Sequence, residues 1–150
     1  MAIEMEVQEQ DIIELFEAAE QGDGDTLLDV ISRLNPNIIH NSPLQNGKPL
    51  LIHCIQNAKK KNYTSTHFPC CQFILAAGFD INDYDSLGRT ALHWSIVGNK
   101  PEITQFLIDG GAKVDTYDRD GYTPLHLAIH NDNHQSVQLL CQFDSKVSFI

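Results

Sequence analysis

Apolar residues along this chain fall into short blocks at helical spacing, separated by polar turns. Leu15, Phe16, Ala18 and Ala19 predict a first helix that ends near Gly22-Asp23, and Leu27, Leu28, Val30, Ile31 and Leu34 predict a second. Further on, Thr90 and Thr123 are placed to cap the starts of two helices, and Pro124 suits a first turn, where its missing N–H costs nothing. These helices are expected to run to about Gly98 and Asn131. Pro101 then opens a helix with the stripe Ile103, Phe106, Leu107 and Ile108; Val137, Leu139, Leu140 and Cys141 form the matching stripe later. Gly110-Gly111 predicts a helix stop, because glycine tolerates the left-handed conformation needed there. The polar stretch Asp115 to Gly121 predicts a hairpin-like turn.

The blocks repeat. Gly88 falls on Gly121, Thr90 on Thr123, Leu92 on Leu125 and His93 on His126, each 33 residues apart. Leu107 and Leu140 keep the same step, as do Val114 and Val147. A looser copy lies upstream, through Gly47, Leu51 and the stretch Ala77 to Asn82. Gly47 and Gly88 are 41 apart, so this copy carries eight extra residues, placed at Lys59 to Thr66 (KKKNYTST) between its two helices. Four repeats fill one expected domain, 1–150: an N-terminal cap at 10–43, then 44–84 with its insertion at 59–66, then 85–117 and 118–150.

The period of 33 and the strings GRTALH and GYTPLH resemble the ankyrin repeat. Departures from that pattern are Ala91 in place of Pro, Ile52 in place of the motif His, and Asp144-Ser145 in place of Gly-Ala. The resemblance implies an all-α solenoid of stacked helix-turn-helix units joined by β-hairpin-like turns, with one concave side. It also implies that Gly88, Thr90, Leu92, His93, Gly121, Thr123, Pro124, Leu125 and His126 hold the scaffold, the histidines by bonding neighbouring backbone. Partners of such proteins lie on the hairpin tips and the first-helix face. The matching positions here are Lys48, Tyr84, Ser86, Leu87, Arg89, Val97, Tyr117, Arg119, Asp120, Tyr122, His130 and Asn131, with Trp94 beside them. Tyr84 and Tyr117 stand one repeat apart, as do Arg89 and Tyr122, and this aromatic and basic ladder is the expected hot spot. Asn82, in GFDIN, resembles the turn asparagine that some family members have hydroxylated, but its expected role is to shape the turn.

Charge and chemistry narrow the function. A formal charge of −10 and a pI near 4.9 disfavour nucleic acid and anionic membrane as partners and favour a basic protein or peptide. The longest apolar run, Phe73 to Phe79, is far too short for a membrane span, and the acidic, amphipathic N-terminus is unlike a secretory signal. Cys54, Cys70, Cys71 and Cys141 lack zinc or thioredoxin spacing and read as reduced, mostly packed thiols of a cytoplasmic protein. His126, His130 and His134 step by four, but Asp132-Asn133 is expected to break the helix before the third, so no metal site is assigned. The many turn aspartates bond their own backbone, and no catalytic or cofactor-binding residue is assigned. Lys59-Lys60-Lys61 reads as a solvated loop.

The expected function is therefore a non-enzymatic, monomeric adaptor or inhibitor. The alternative is self-association through the apolar C-terminal end, Val147, Phe149 and Ile150, if that tail does not fold back over the last repeat. A remoter alternative is an effector of an intracellular bacterium acting on a host protein, for which the abundance of Asn, Ile and Lys is compatible with an AT-rich genome.

Overall fold

The computed structural model describes residues 9–34, 44–45, 47–59 and 61–147, with side chains for all of these except 44, 45 and 144–147. Eight helices occur among them, and the only paired strands are two residues long. The described residues fall into two compact units that divide between Asp80 and Ile81. Lys60 of the basic run, and Phe149 and Ile150 of the apolar tail, lie outside the described residues.

The first unit contains helices α1 (Glu9–Gln21), α2 (Gly24–Arg33), α3 (Leu50–Asn57) and α4 (His67–Ala76). Leu15, Phe16, Ala18 and Ala19 bury one face of α1, while Glu17 and Glu20 stay exposed. Asp23 caps α2: its carboxylate accepts the Thr26 N–H at 3.2 Å and the Thr26 hydroxyl at 2.7 Å. Only part of the expected stripe on α2 is buried. Leu27 and Val30 face the core, whereas Leu28 is exposed. Strands β1 (Leu44–Gln45) and β2 (Lys48–Pro49) form a short antiparallel hairpin leading into α3.

The insertion lies where the repeat spacing places it, between α3 and α4, but it is not simply a solvated loop. Lys59 and Lys61 are exposed, yet Tyr63 is buried, and its carbonyl accepts the Phe68 N–H at 2.7 Å. One aromatic side chain thus pins the extra turn to the unit's core. His67 anchors the other end, its Nε2–H donating to the Glu20 carbonyl at 2.9 Å. Cys54, Cys70 and Cys71 fill the space between α3 and α4 as small apolar groups, with Cys71 Sγ 3.8 Å from Cys54 Sγ. All four cysteines are free thiols, and Cys141 differs from the others in being exposed.

The second unit contains α5 (Ala91–Val97), α6 (Pro101–Asp109), α7 (Pro124–His130) and α8 (His134–Val147). These are two helix pairs in the 33-residue register, each opening with a threonine and a capping histidine. His93 Nδ1 accepts the Thr90 N–H at 3.1 Å, and His126 Nδ1 accepts the Thr123 N–H at 3.0 Å. The turn from the first to the second helix uses left-handed residues at matching places, Asn99 with φ +52° and Asp132 with φ +51°. Asp132 therefore does interrupt the helix before His134, which opens α8. At the Gly110-Gly111 stop only Gly111 is left-handed. Within the first pair, the Ser95 and Thr104 hydroxyls meet at 2.9 Å. Between the pairs, Asn133 Nδ2 donates to the Ile96 carbonyl at 3.1 Å. The buried apolar residues of this core are led by Leu92, Ile96, Ile103 and Leu107.

Candidate protein-recognition surface

Each turn of the second unit is built around one aspartate. Asp85 Oδ1 accepts the N–H groups of Leu87 and Arg89, both at 3.0 Å, so the carboxylate closes the loop that carries it. One repeat later, Asp118 Oδ1 accepts the N–H groups of Asp120 at 3.0 Å and Tyr122 at 2.9 Å. The second oxygens differ in their use. Asp85 Oδ2 takes the Trp94 indole N–H at 2.7 Å, whereas Asp118 Oδ2 takes the Arg89 Nε–H at 3.2 Å. Burial raises the Asp118 pKa, but the hydrogen bonds from Tyr122, Arg89 and Asp120 outweigh it and leave the group below its ordinary 3.8.

Two links hold the turns side by side. The Arg89 guanidinium lies over the Trp94 ring, 5.0 Å from its centroid, while bonding Asp118. The Arg119 N–H donates to the Leu87 carbonyl at 2.9 Å. Gly88 makes that approach feasible. It sits at φ +71°, and a Cβ there would stand 3.2 Å from Arg119 N. Deeper in, the His93 Nε2–H donates to the Tyr122 carbonyl at 3.2 Å, which ties the first helix of one repeat to the turn of the next. The motif histidine therefore bridges backbone, in the manner the family resemblance implies. Its pKa is pushed below 6.5, chiefly by burial.

The result is a fixed edge of large side chains. Tyr84 is 65% exposed, Tyr117 66%, Leu87 49% and Tyr122 42%. Arg119 is also exposed. Tyr122 packs on its own repeat, stacking on His130 with centroids 6.4 Å apart, and so is braced for contact. Arg89 and Trp94 stand differently from the rest of the predicted set: both are engaged within the turns, and the Arg89 side chain is only 19% exposed. Lys48 lies in the first unit, half-buried on β2. Ser86, Val97, Asp120, His130 and Asn131 are exposed.

Asn82 has a structural partner, its Oδ1 accepting the Lys113 N–H at 2.8 Å. His126 and His130 share α7. Among the described residues no three His, Cys, Asp or Glu side chains converge as metal ligands. Cys54 is held well above its ordinary pKa by the neighbouring Cys70 and Cys71 thiols and by burial. No helix among the described residues is long and apolar enough to cross a membrane.

Sequence reasoning missed His67 and Tyr63 because neither occupies a repeated position, and it missed the use of Arg89 because its counterpart one repeat on is Tyr122. Side chains displayed on turns that helix pairs hold in register define a helical-repeat protein. A family model of ankyrin repeats (3 copies) matches residues 61–148, and the chain belongs to the ankyrin repeat family. Repeats of this family generally mediate protein–protein interaction, and the family is typically non-enzymatic. No curated protein matches the chain.

Proposed function

We propose that this chain is a non-enzymatic recognition domain, an adaptor or an inhibitor, that grips a partner protein with Tyr84, Leu87, Tyr117, Arg119 and Tyr122. The observation that supports this most directly is the Arg119 N–H to Leu87 carbonyl bond, which sets neighbouring tips edge to edge. Tyrosines so fixed offer large contact area at small entropic cost. Arg89 and Trp94 support the edge from behind, and His130 supports Tyr122. The partner is a basic surface or peptide, drawn by the net charge of −10.

The test is affinity capture with the immobilised chain, alongside the combined variant Tyr84→Ala, Tyr117→Ala and Arg119→Ala. A partner held by the parent chain is expected to bind the variant at least tenfold more weakly, while the thermal melt is unchanged. Equal capture by both would move the site elsewhere.

A further inference from the structure

The main chain of the tyrosine edge is already committed. From Asp118 to Tyr122 every backbone N–H has an acceptor within the second unit. Asp118 donates to the Tyr122 carbonyl, Arg119 to the Leu87 carbonyl and Gly121 to the Asp118 carbonyl, while Asp120 and Tyr122 donate to the Asp118 side chain. One repeat earlier the N–H groups of Tyr84, Asp85, Leu87, Gly88 and Arg89 are engaged in the same way. An added β-strand needs a row of open main-chain donors and acceptors, and these turns offer no such row. An amphipathic helix needs a continuous apolar groove. The tips instead present the phenols of Tyr84 and Tyr117, the Arg119 guanidinium and the Asp120 carboxylate, together with Leu87. What remains is recognition by projecting side chains.

A polyproline II segment suits such an edge. It makes no internal hydrogen bonds, so its carbonyls are open to the Tyr84 and Tyr117 hydroxyls, and its prolines pack on aromatic side chains. The spacing agrees as well. Helices α5 and α7, which follow the two turns, pack on each other, and packed helices lie roughly 8–10 Å apart. The bond from Arg119 to Leu87 keeps the turns themselves together. Polyproline II advances about 9 Å in three residues. Tyrosines at the same place in successive repeats therefore meet every third residue of such a segment. Asp115 and Asp120, exposed on either side of Tyr117 in the sequence, supply negative charge for a flanking base. We infer that Tyr84 and Tyr117 seat two prolines, three residues apart, of a partner segment in the polyproline II form, with a lysine or arginine beside the pair. Arg119, also exposed, is left to donate to the segment's carbonyls. This partner presupposes the tyrosine edge proposed above and narrows it from any basic surface to a proline-rich segment.

The experiment is selection of random twelve-residue peptides, displayed on phage, against the immobilised full chain, followed by fluorescence anisotropy with the strongest peptides. Enriched sequences are expected to share two prolines separated by two residues, with Lys or Arg nearby. The strongest are expected to bind the double variant Tyr84→Ala, Tyr117→Ala about tenfold or more weakly than the parent, with the circular dichroism of the two chains alike. Alanine at either proline of the peptide should cost as much. Tyr117→Lys, which repels a basic peptide from an exposed position, serves if the double variant does not fold. Enriched peptides without that proline spacing, still lost in the variant, would overturn the inference and leave the tyrosine edge standing. Proline-spaced peptides held equally by parent and variant would overturn both. No enrichment at all would overturn the proline-rich partner, and the affinity capture described above would then judge the edge by itself.

Discussion

Arg89 donates its Nε–H to Asp118, 29 residues away, at 3.2 Å, with the carboxylate fully buried and the guanidinium lying over Trp94. One side chain thus connects the turn of one repeat with the turn of the next. Asp118 also accepts two backbone N–H groups, so its removal leaves three donors without their acceptor. Asp118→Ala is expected to cost about 2–3 kcal/mol, the range for unsatisfied buried donors. Arg89→Ala should cost less, because Asp118 then still keeps its two backbone N–H donors. Urea denaturation of both single variants and the double variant checks this. A coupling near zero would mean the pair contributes only through its separate contacts.

Gly88 and Gly121 occupy the same place in successive turns, at φ +71° and +82°. Only the first has a neighbour in the way, the backbone nitrogen of Arg119 at 3.2 Å; nothing stands within 4 Å of the second. Gly121→Ala should therefore cost the left-handed penalty alone, about 1 kcal/mol. Gly88→Ala should cost roughly 2–3 kcal/mol, because the two turns must also move apart. Equal losses in chemical denaturation would remove the close approach from the explanation.

Stability is expected to fall on acidification beginning near pH 6.5. Burial lowers the pKa of His93 below 6.5, and for His53 burial lowers it more than the nearby Glu20 carboxylate raises it. Between the folded and unfolded values the unfolded chain binds more protons, so stability rises with pH across that interval. The contribution is complete above pH 6.5 and is lost as pH falls towards the folded values. At His93 the reason is visible, since Nδ1 must accept from Thr90 N–H and has no room for a second proton. Thermal melts from pH 8 to pH 5 read the effect, and a flat profile above pH 5 would contradict it.

The four thiols should separate cleanly in reactivity. Cys54, Cys70 and Cys71 are buried together, and Cys141 is exposed on α8. A native chain treated with a thiol-specific chromogenic reagent is expected to react rapidly at one site, with the other three released only in denaturant. Cys141→Ser should abolish the rapid phase. Fast reaction at more than one cysteine would show that the α3–α4 core opens readily.

Local chemistry repeated at a fixed interval made most of the scaffold readable. Thr90, His93, Thr123 and His126 cap their helices as the motif implies, because a cap depends on residues three positions apart and little else. The eight-residue insertion and the helix break at Asp132 were legible for the same reason. The recognition surface was legible only in outline. Tyr84 and Tyr117 were identified by register, but nothing in their neighbourhood distinguished them from Arg89 and Trp94, which the folded turns engage.

The amino-acid sequence alone determined the repeat, its helix boundaries and its turns, since these rest on propensity, capping and hydrophobic spacing within about ten residues. Tertiary structure decided which side chains are spent on holding the repeats and which are left outside. That choice depends on what lies across the stack: Ile96 is buried and Ile129 exposed, although the two occupy the same position in the repeat, because among the described residues a neighbouring helix pair covers only the first.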